Sequence, residues 1–204
     1  DHDTMVVKAP RDLIEEAIKL CPPQYTLAAR DQEQDLPLDG NHVYLATDGC
    51  GVQIIDLHSG ELRTTKLGDV ADIARIADAT EEIAFHWVPV SAQDKLAESR
   101  GLHELSAVWQ NSTKHVQTES IYNEAEAHAA VEMATLLAGS AEALRHRPPL
   151  SIMQCTAPPL GHDGGSLDAA LIVAAAGIPV GFMTMTSCLT TAPATLAGKT
   201  VFAY

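Results

Sequence analysis

The sequence predicts an α/β chain built of consecutive parallel βα units, the first four of an incomplete TIM-type (β/α)8 barrel, preceded by a helix and a small antiparallel β element. Three observations carry this. Residues 149–198 hold two βα units end to end: an apolar run over 150–155, a Pro/Gly loop, a Gly164-Gly165-Ser166 opening to an Ala/Leu helix over 167–176, a stop at Gly177, and a second apolar run over 178–185. Strand starts near Ile83, Lys114, Leu150 and Ile178 recur at intervals of roughly 28 to 36 residues, the length of a βαβ repeat. Polar residues stand where the apolar runs end, Gln154 and Thr156 on one and Thr184 and Thr186 on the other, which in a barrel is the catalytic mouth.

Taken in order, residues 10–20 read as a short helix with Pro10 in its first turn and Leu13, Ile14, Ala17 and Ile18 on one stripe, ended by Cys21-Pro22-Pro23. From 25 to 66 the hydrophobic period falls to two, over 25–29, 42–47, 52–57 and 61–65. With His58-Ser59-Gly60 as a turn, this predicts an antiparallel cap or clamp. Helical spacing resumes with Val70, Ile73, Ala74 and Ala77, and Asp69 is placed to cap it. A strand over 83–88, a helix around 103–110 and a strand over 114–119 follow. Asn123 then caps a long Ala-rich helix that carries Glu124 and Glu126 in its first turn and Gly139 near its end. The predicted division is 1–66 for the N-terminal helix and antiparallel element, and 67–204 for the first half of the barrel. Asp1 in place of a Met and the apolar TVFAY close read as a piece of a longer polypeptide, inactive as this fragment alone.

Composition excludes several function classes. Of the 204 residues, 46% are hydrophobic and only 4% aromatic, which predicts a core of Ala, Leu, Ile and Val with no run long enough to span a membrane. A formal charge of −14 repels phosphate backbones and anionic lipid, so neither nucleic acid nor a membrane surface is an expected partner. Cys21, Cys50, Cys155 and Cys188 are scattered, without a Cys-x-x-Cys pair or a signal peptide, and point to a reduced, cytoplasmic setting.

Several residues have chemistry worth weighing. Glu119, after Gln117 and Thr118 at a strand end, reads either as a carboxylate facing a cation or acting as a base, or as a solvated loop residue. His86, beside Trp87 in an apolar strand, and His115 read as core histidines or as catalytic ones. His162-Asp163 reads as an oriented acid/base pair or as a loop with Asp163 capping a helix. Cys155 and Cys188 at strand ends read as nucleophiles or as small hydrophobes. There is no metal signature, and the glycines at 161–165 lack the Lys of a phosphate loop.

The stretches YTLAARD (25–31), GNHVYLATDG (40–49), LSIMQCT (150–156), PLGHDGGSL (159–167), AGIPVGFM (176–183) and APATLAG (192–198), in this order across nearly the whole chain, closely resemble the trimethylamine:corrinoid methyltransferase family. The resemblance implies a (β/α) barrel that moves a methyl group from trimethylamine, or from a quaternary amine such as glycine betaine, to Co(I) of a corrinoid carried by a separate protein. On that reading the cofactor is borne by the partner and the full-length enzyme is a homo-oligomer. Trimethylamine enzymes of the family carry a pyrrolysine in the second half of the barrel, beyond this chain. A cationic substrate calls for carboxylates and aromatic faces. Glu119, Trp87 and Tyr122 are the candidates near the predicted mouth, with Gln117, Gln154 and Thr184 to orient a carboxylate or amine. Two alternatives remain. One is a different barrel enzyme of lyase or aldolase type, which needs a Lys at a strand end, whereas Lys114 begins a strand and Lys199 lies in a helix. The other is an inactive fragment with raw edges at the strands of Ile83 and Ile178.

Overall fold

Residues 6–158 and 160–203 are described by a computed structural model. After α1 (Arg11–Leu20) come two short antiparallel strands, β1 (Tyr25–Leu27) and β2 (Leu36–Leu38), then β3 (Leu45–Ala46) and a second antiparallel pair, β4 (Gln53–Ile55) with β5 (Leu62–Thr64). Helix and strand then alternate through α2 (Leu67–Ala79), β6 (Ile83–Trp87), α3 (Arg100–Asn111), β7 (Val116–Thr118), α4 (Glu124–Ala138), α5 (Ala141–His146), β8 (Leu150–Thr156), α6 (Gly164–Ala175), β9 (Val180–Thr184) and α7 (Leu196–Ala203). One curled parallel sheet in the order β3-β6-β7-β8-β9 collects five of the strands into part of a barrel wall.

The four strands expected from residue 83 onward are present and parallel. Three details differ from the sequence reading. First, of the segments read as antiparallel, Leu45–Ala46 instead pairs parallel with β6, so β6 is an inner strand and the sheet begins at β3. Alternation at period two reports exposure and not partner direction, and here the partner is fixed by Thr47, whose Oγ1 donates to the Trp87 carbonyl and lies 3.0 Å from His86 Nδ1. Second, α2 starts at Leu67, two residues before Asp69. The Asp69 carboxylate reaches back to accept from Lys66 N at 2.8 Å and is also gripped by both terminal nitrogens of Arg63. Third, the sequence reading has no α5, a short helix capped by Ser140 Oγ accepting from Ala143 N at 3.1 Å.

The core lies between the outer face of the sheet and the helices. Val116, Leu150 and Ile152 of the central strands pack with Val70, Leu105, Val108 and Val173 and with a set of fully buried alanines, Ala74, Ala127, Ala130, Ala134 and Ala169. Small side chains let the helices lie close on the strands, which is how a chain poor in aromatics reaches native packing density. Asn123 and Asp163 cap α4 and α6 as their residue types dictate, each accepting from a backbone N–H three residues on. By contrast α1 buries none of its residues, and its Leu13, Ile14 and Ile18 are exposed. No described helix is long and apolar enough to cross a membrane.

The β1–β2 pair closes the N-terminal end of the sheet. Arg30 donates from its backbone to the Thr113 carbonyl at 2.8 Å and from its guanidinium to the Trp109 carbonyl, while Arg147 clasps Asp35 with both oxygens within 2.8 Å. At the same end the buried Lys114 ammonium donates to the carbonyls of Ala77, Thr80 and Ile83 at 2.6–2.7 Å, satisfying acceptors at the end of α2 and the start of β6. Lys114→Met retains the stem and removes the donors. Leaving buried carbonyls unpaired is expected to lower stability by about 2–4 kcal/mol, read as a lower urea midpoint at unchanged slope.

His86 and His115 are fully buried. His115 spans the floor, with Nδ1 2.8 Å from the Ala28 carbonyl and Nε2 2.8 Å from Ser151 Oγ. Burial pulls both imidazoles down to about 4. An unfolded histidine takes its proton near pH 6.5, so between about 6.5 and 4 the unfolded state binds more protons and stability rises with pH. Denaturation midpoints are therefore expected to fall as pH drops from 6.5 to 4 and to show no histidine-driven slope above 7; a flat profile across that window contradicts the burial of these rings.

Candidate active site

The site follows from strand alternation. β7 pairs with β8 as Val116 with Leu150, Gln117 with Ser151 and Thr118 with Ile152, and β6 joins as Trp87 with Gln117. Since Val116, Leu150 and Ile152 face the helices, the alternate residues form the inner face: Trp87 on β6, His115, Gln117 and Glu119 along β7, and Ser151, Met153 and Cys155 along β8. Hydrogen bonds confirm this column, because Ser151 Oγ meets both His115 Nε2 and Gln117 Nε2, the latter at 3.1 Å. Gln117 is thus a buried layer beneath the mouth, and Glu119, half-buried, stands above it at the C-terminal edge.

Two thiols converge on Glu119. Cys50 Sγ donates to Oε1, and Cys155 Sγ donates to Oε2 at 3.3 Å. Burial first, and then the adjacent carboxylate, push the Cys50 thiol up to about 12 and the Cys155 thiol up to about 11. Both remain protonated at neutral pH and act as donors, which removes the thiolate that a nucleophilic Cys155 requires. Cys50 arrives on the turn after β3, where the Pro89 carbonyl accepts from Cys50 N at 3.2 Å and Gly51 N at 3.0 Å. This pins the β4–β5 hairpin to the rim, further fastened by Thr65 Oγ1 donating to the Ser91 carbonyl at 2.6 Å.

Tyr122 lies on the loop after β7, and its phenol is pushed up by burial, with Cys50 and Glu119 adding to the shift. It lines a cleft of about 320 Å³ with Cys50, Ser91, Arg100 and Ser120. Glu104 is buried close by, accepts from Ala92 N at 2.7 Å, and is pushed up by desolvation. The loop lies low because two helices present glycine to it. A β-carbon on Gly101 of α3 would sit 2.2 Å from the Ser120 carbonyl oxygen, and one on Gly165 of α6 would sit 2.7 Å from that of Tyr122.

The structure therefore brings together Glu119, Trp87, Gln117 and Tyr122 from the sequence candidates, while Gln154 and Thr184 alternate onto the face shared with Leu150 and Ile152. Cys50 was not singled out by sequence; its signal was the Gly49-Cys50-Gly51 triplet at a strand end, where Cys50 adopts φ +104°. Asp163 caps α6, and His162 packs edge-on against Phe182 with ring centres 5.7 Å apart. His86 is on the helix-facing side of β6. Lys114 is fully engaged at the opposite end, which takes it out of consideration as a Schiff-base lysine at the mouth. A cleft of about 730 Å³ lies at that opposite end among Val43, Leu45, Ala79 and Ile83, away from the strand C-termini. Among the described residues no group of His, Cys, Asp and Glu is placed to hold a metal ion.

Comparison with known proteins gives a consistent result. The trimethylamine methyltransferase (MTTB) family model matches residues 2–204. Trimethylamine methyltransferase MttB of Desulfitobacterium hafniense (strain DSM 10664 / DCB-2) is 34% identical over 201 residues, 98% of this chain and 40% of the relative. The protein of the same name from Methanosarcina thermophila is 28% identical over 205 residues, 98% of this chain and 42% of its own length. Glycine betaine methyltransferase of Desulfitobacterium hafniense (strain Y51) is 27% identical over 189 residues, 92% of this chain and 39% of the relative. The chain thus spans about two fifths of the length of these relatives. On the family match over nearly its whole length, and in keeping with its parallel βα units, the chain belongs to the trimethylamine methyltransferase family.

Proposed function

We propose that this chain contributes the substrate-holding wall of a methyltransferase that takes a methyl group from trimethylamine or a quaternary amine such as glycine betaine and passes it to Co(I) of a corrinoid on a partner protein. The observation that carries the reading is the Glu119 carboxylate at the C-terminal mouth: among the described residues it is paired with no Lys or Arg, its charge reaches the Tyr122 phenol, and Trp87 shares the inner face one layer below, beside Gln117. A methylated ammonium ion presents a diffuse positive charge on an apolar shell, which suits a carboxylate set among aromatic faces. The chain's charge of −14 adds a field that draws such a cation in. All four cysteines are free, in keeping with the reducing, cytoplasmic setting that Co(I) chemistry needs.

When docked, the corrinoid supplies the nucleophile. The work left to this wall is to hold the C–N bond in line and to keep water away. As the C–N bond breaks, its electron pair stays on nitrogen and a quaternary cation leaves as a neutral tertiary amine. Glu119 therefore stabilises the bound substrate more than the transition state, so its contribution lies in affinity. The rate comes from orientation by Trp87, Tyr122 and the Gln117–Ser151 layer beneath.

Glu119→Gln in the full-length protein is expected to raise KM for the amine about ten- to a hundredfold with a smaller change in kcat, followed as loss of the Co(I) absorbance with trimethylamine or glycine betaine as donor. An unchanged KM removes Glu119 from the site. Wild-type protein that transfers no methyl group from any methylamine or betaine overturns the assignment of substrate class.

A further inference from the structure

Both oxygens of Glu119 are claimed by sulfur, from two separate elements of the fold. Cys50 comes from the turn after β3 and Cys155 from β8, and each donates to a different oxygen of the same carboxylate. We propose that Cys50 and Cys155 are positioning residues that hold the Glu119 carboxylate in a fixed plane at the mouth, as neutral thiol donors, so that it meets a methylated ammonium ion in one orientation. The inference rests on the reading of Glu119 as the counter-ion of the substrate.

The geometry favours this role over simple packing. A buried or half-buried carboxylate is ordinarily restrained by Arg or Lys, which also cancels its charge. Thiols restrain it by direction alone and leave its charge available to a cation. Sulfur is a weak donor, and two such bonds at opposite oxygens stop rotation about the terminal carbon–carbon bond without strongly quenching the acceptor lone pairs. Cys50 reaches its oxygen from a positive φ of +104°, a conformation that L side chains rarely adopt, and the turn is held there by the Pro89 carbonyl, which accepts from two successive backbone N–H groups. Strain of this kind persists only where the surroundings over-determine it, and it gathers at functional sites.

The proposal makes sulfur itself the reporter. In infrared difference spectra of the full-length protein, wild type minus Cys50→Ala and wild type minus Cys155→Ala, each S–H stretching band is expected at the lowered frequency of a bonded thiol, and Glu119→Gln is expected to move both. Calorimetric titration with tetramethylammonium and with glycine betaine is expected to show affinity falling roughly three- to tenfold in each alanine variant. Cys50→Ser and Cys155→Ser, which keep a donor, are expected to bind within about twofold of wild type. Sulfur bands that ignore Glu119→Gln, or folded alanine variants that bind as wild type does, overturn the positioning role. Sulfur bands that respond while the wild type binds neither cation overturn the counter-ion reading instead, and leave the thiol–carboxylate contacts standing.

Discussion

The in-register pairing of β7 with β8 is the constraint on which the rest of the site depends. Side chains alternate faces with a period of two, so a slip of one residue would carry His115, Gln117 and Glu119 to the helix side and bring Val116 and Thr118 inward. Hydrophobic packing of Val116, Leu150 and Ile152 specifies the register from outside. The buried Ser151 hydroxyl specifies it again from inside, since it reaches both His115 and Gln117 only in this alignment. A half-satisfied polar layer would be costly, so the two requirements reinforce each other. Glu119 inherits its place from that agreement.

Around this column the fold divides its labour by end. At the N-terminal end, charged groups are spent on structure: Lys114 on three carbonyls, Arg30 on the carbonyls of Trp109 and Ser112, and Arg147 on Asp35. At the C-terminal end Arg63 of the β4–β5 hairpin is likewise taken up, by Asp56 and Asp69, whereas the Glu119 carboxylate is tied to two thiols and keeps its charge. Within an acidic chain this asymmetry concentrates available negative charge at the mouth, where a cation would enter.

Much of the fold was legible because its signals are local. The caps at Asn123 and Asp163, the stop at Gly139 and the apolar runs of β8 and β9 each follow from residue type and spacing. Long-range partnership was not legible: nothing in residues 42–47 says whether they pair with a hairpin neighbour or with the strand around Phe85, and β3 chose the latter. The site shows the same split. Glu119, Trp87 and Gln117 were read toward the mouth because strand ends face it in a barrel, and alternation along β6 and β7 does put the three on the inner face. Gln154 and Thr184 stand at the same level, yet their parity sends them to the other face, and parity can be assigned only once one residue of the strand is anchored. Cys50 was invisible as a partner of Glu119 because the contact joins segments brought together only by the curl of the sheet. A free cysteine in sequence is also most often a small apolar filler.

The loop bearing Tyr122 lies wedged between Gly101 and Gly165, with carbonyl oxygens where β-carbons would otherwise be. Any codon change that replaces glycine adds at least that carbon, so no substitution at these two positions is conservative, however mild it looks on a similarity scale. The fragility of the mouth is thereby exported to two helices on its outside. In an inherited or laboratory collection of variants, lesions at 101 and 165 would read as losses of stability or of binding depending on which way the backbone yields. The tolerance of the site to drift is narrower than its own side chains suggest.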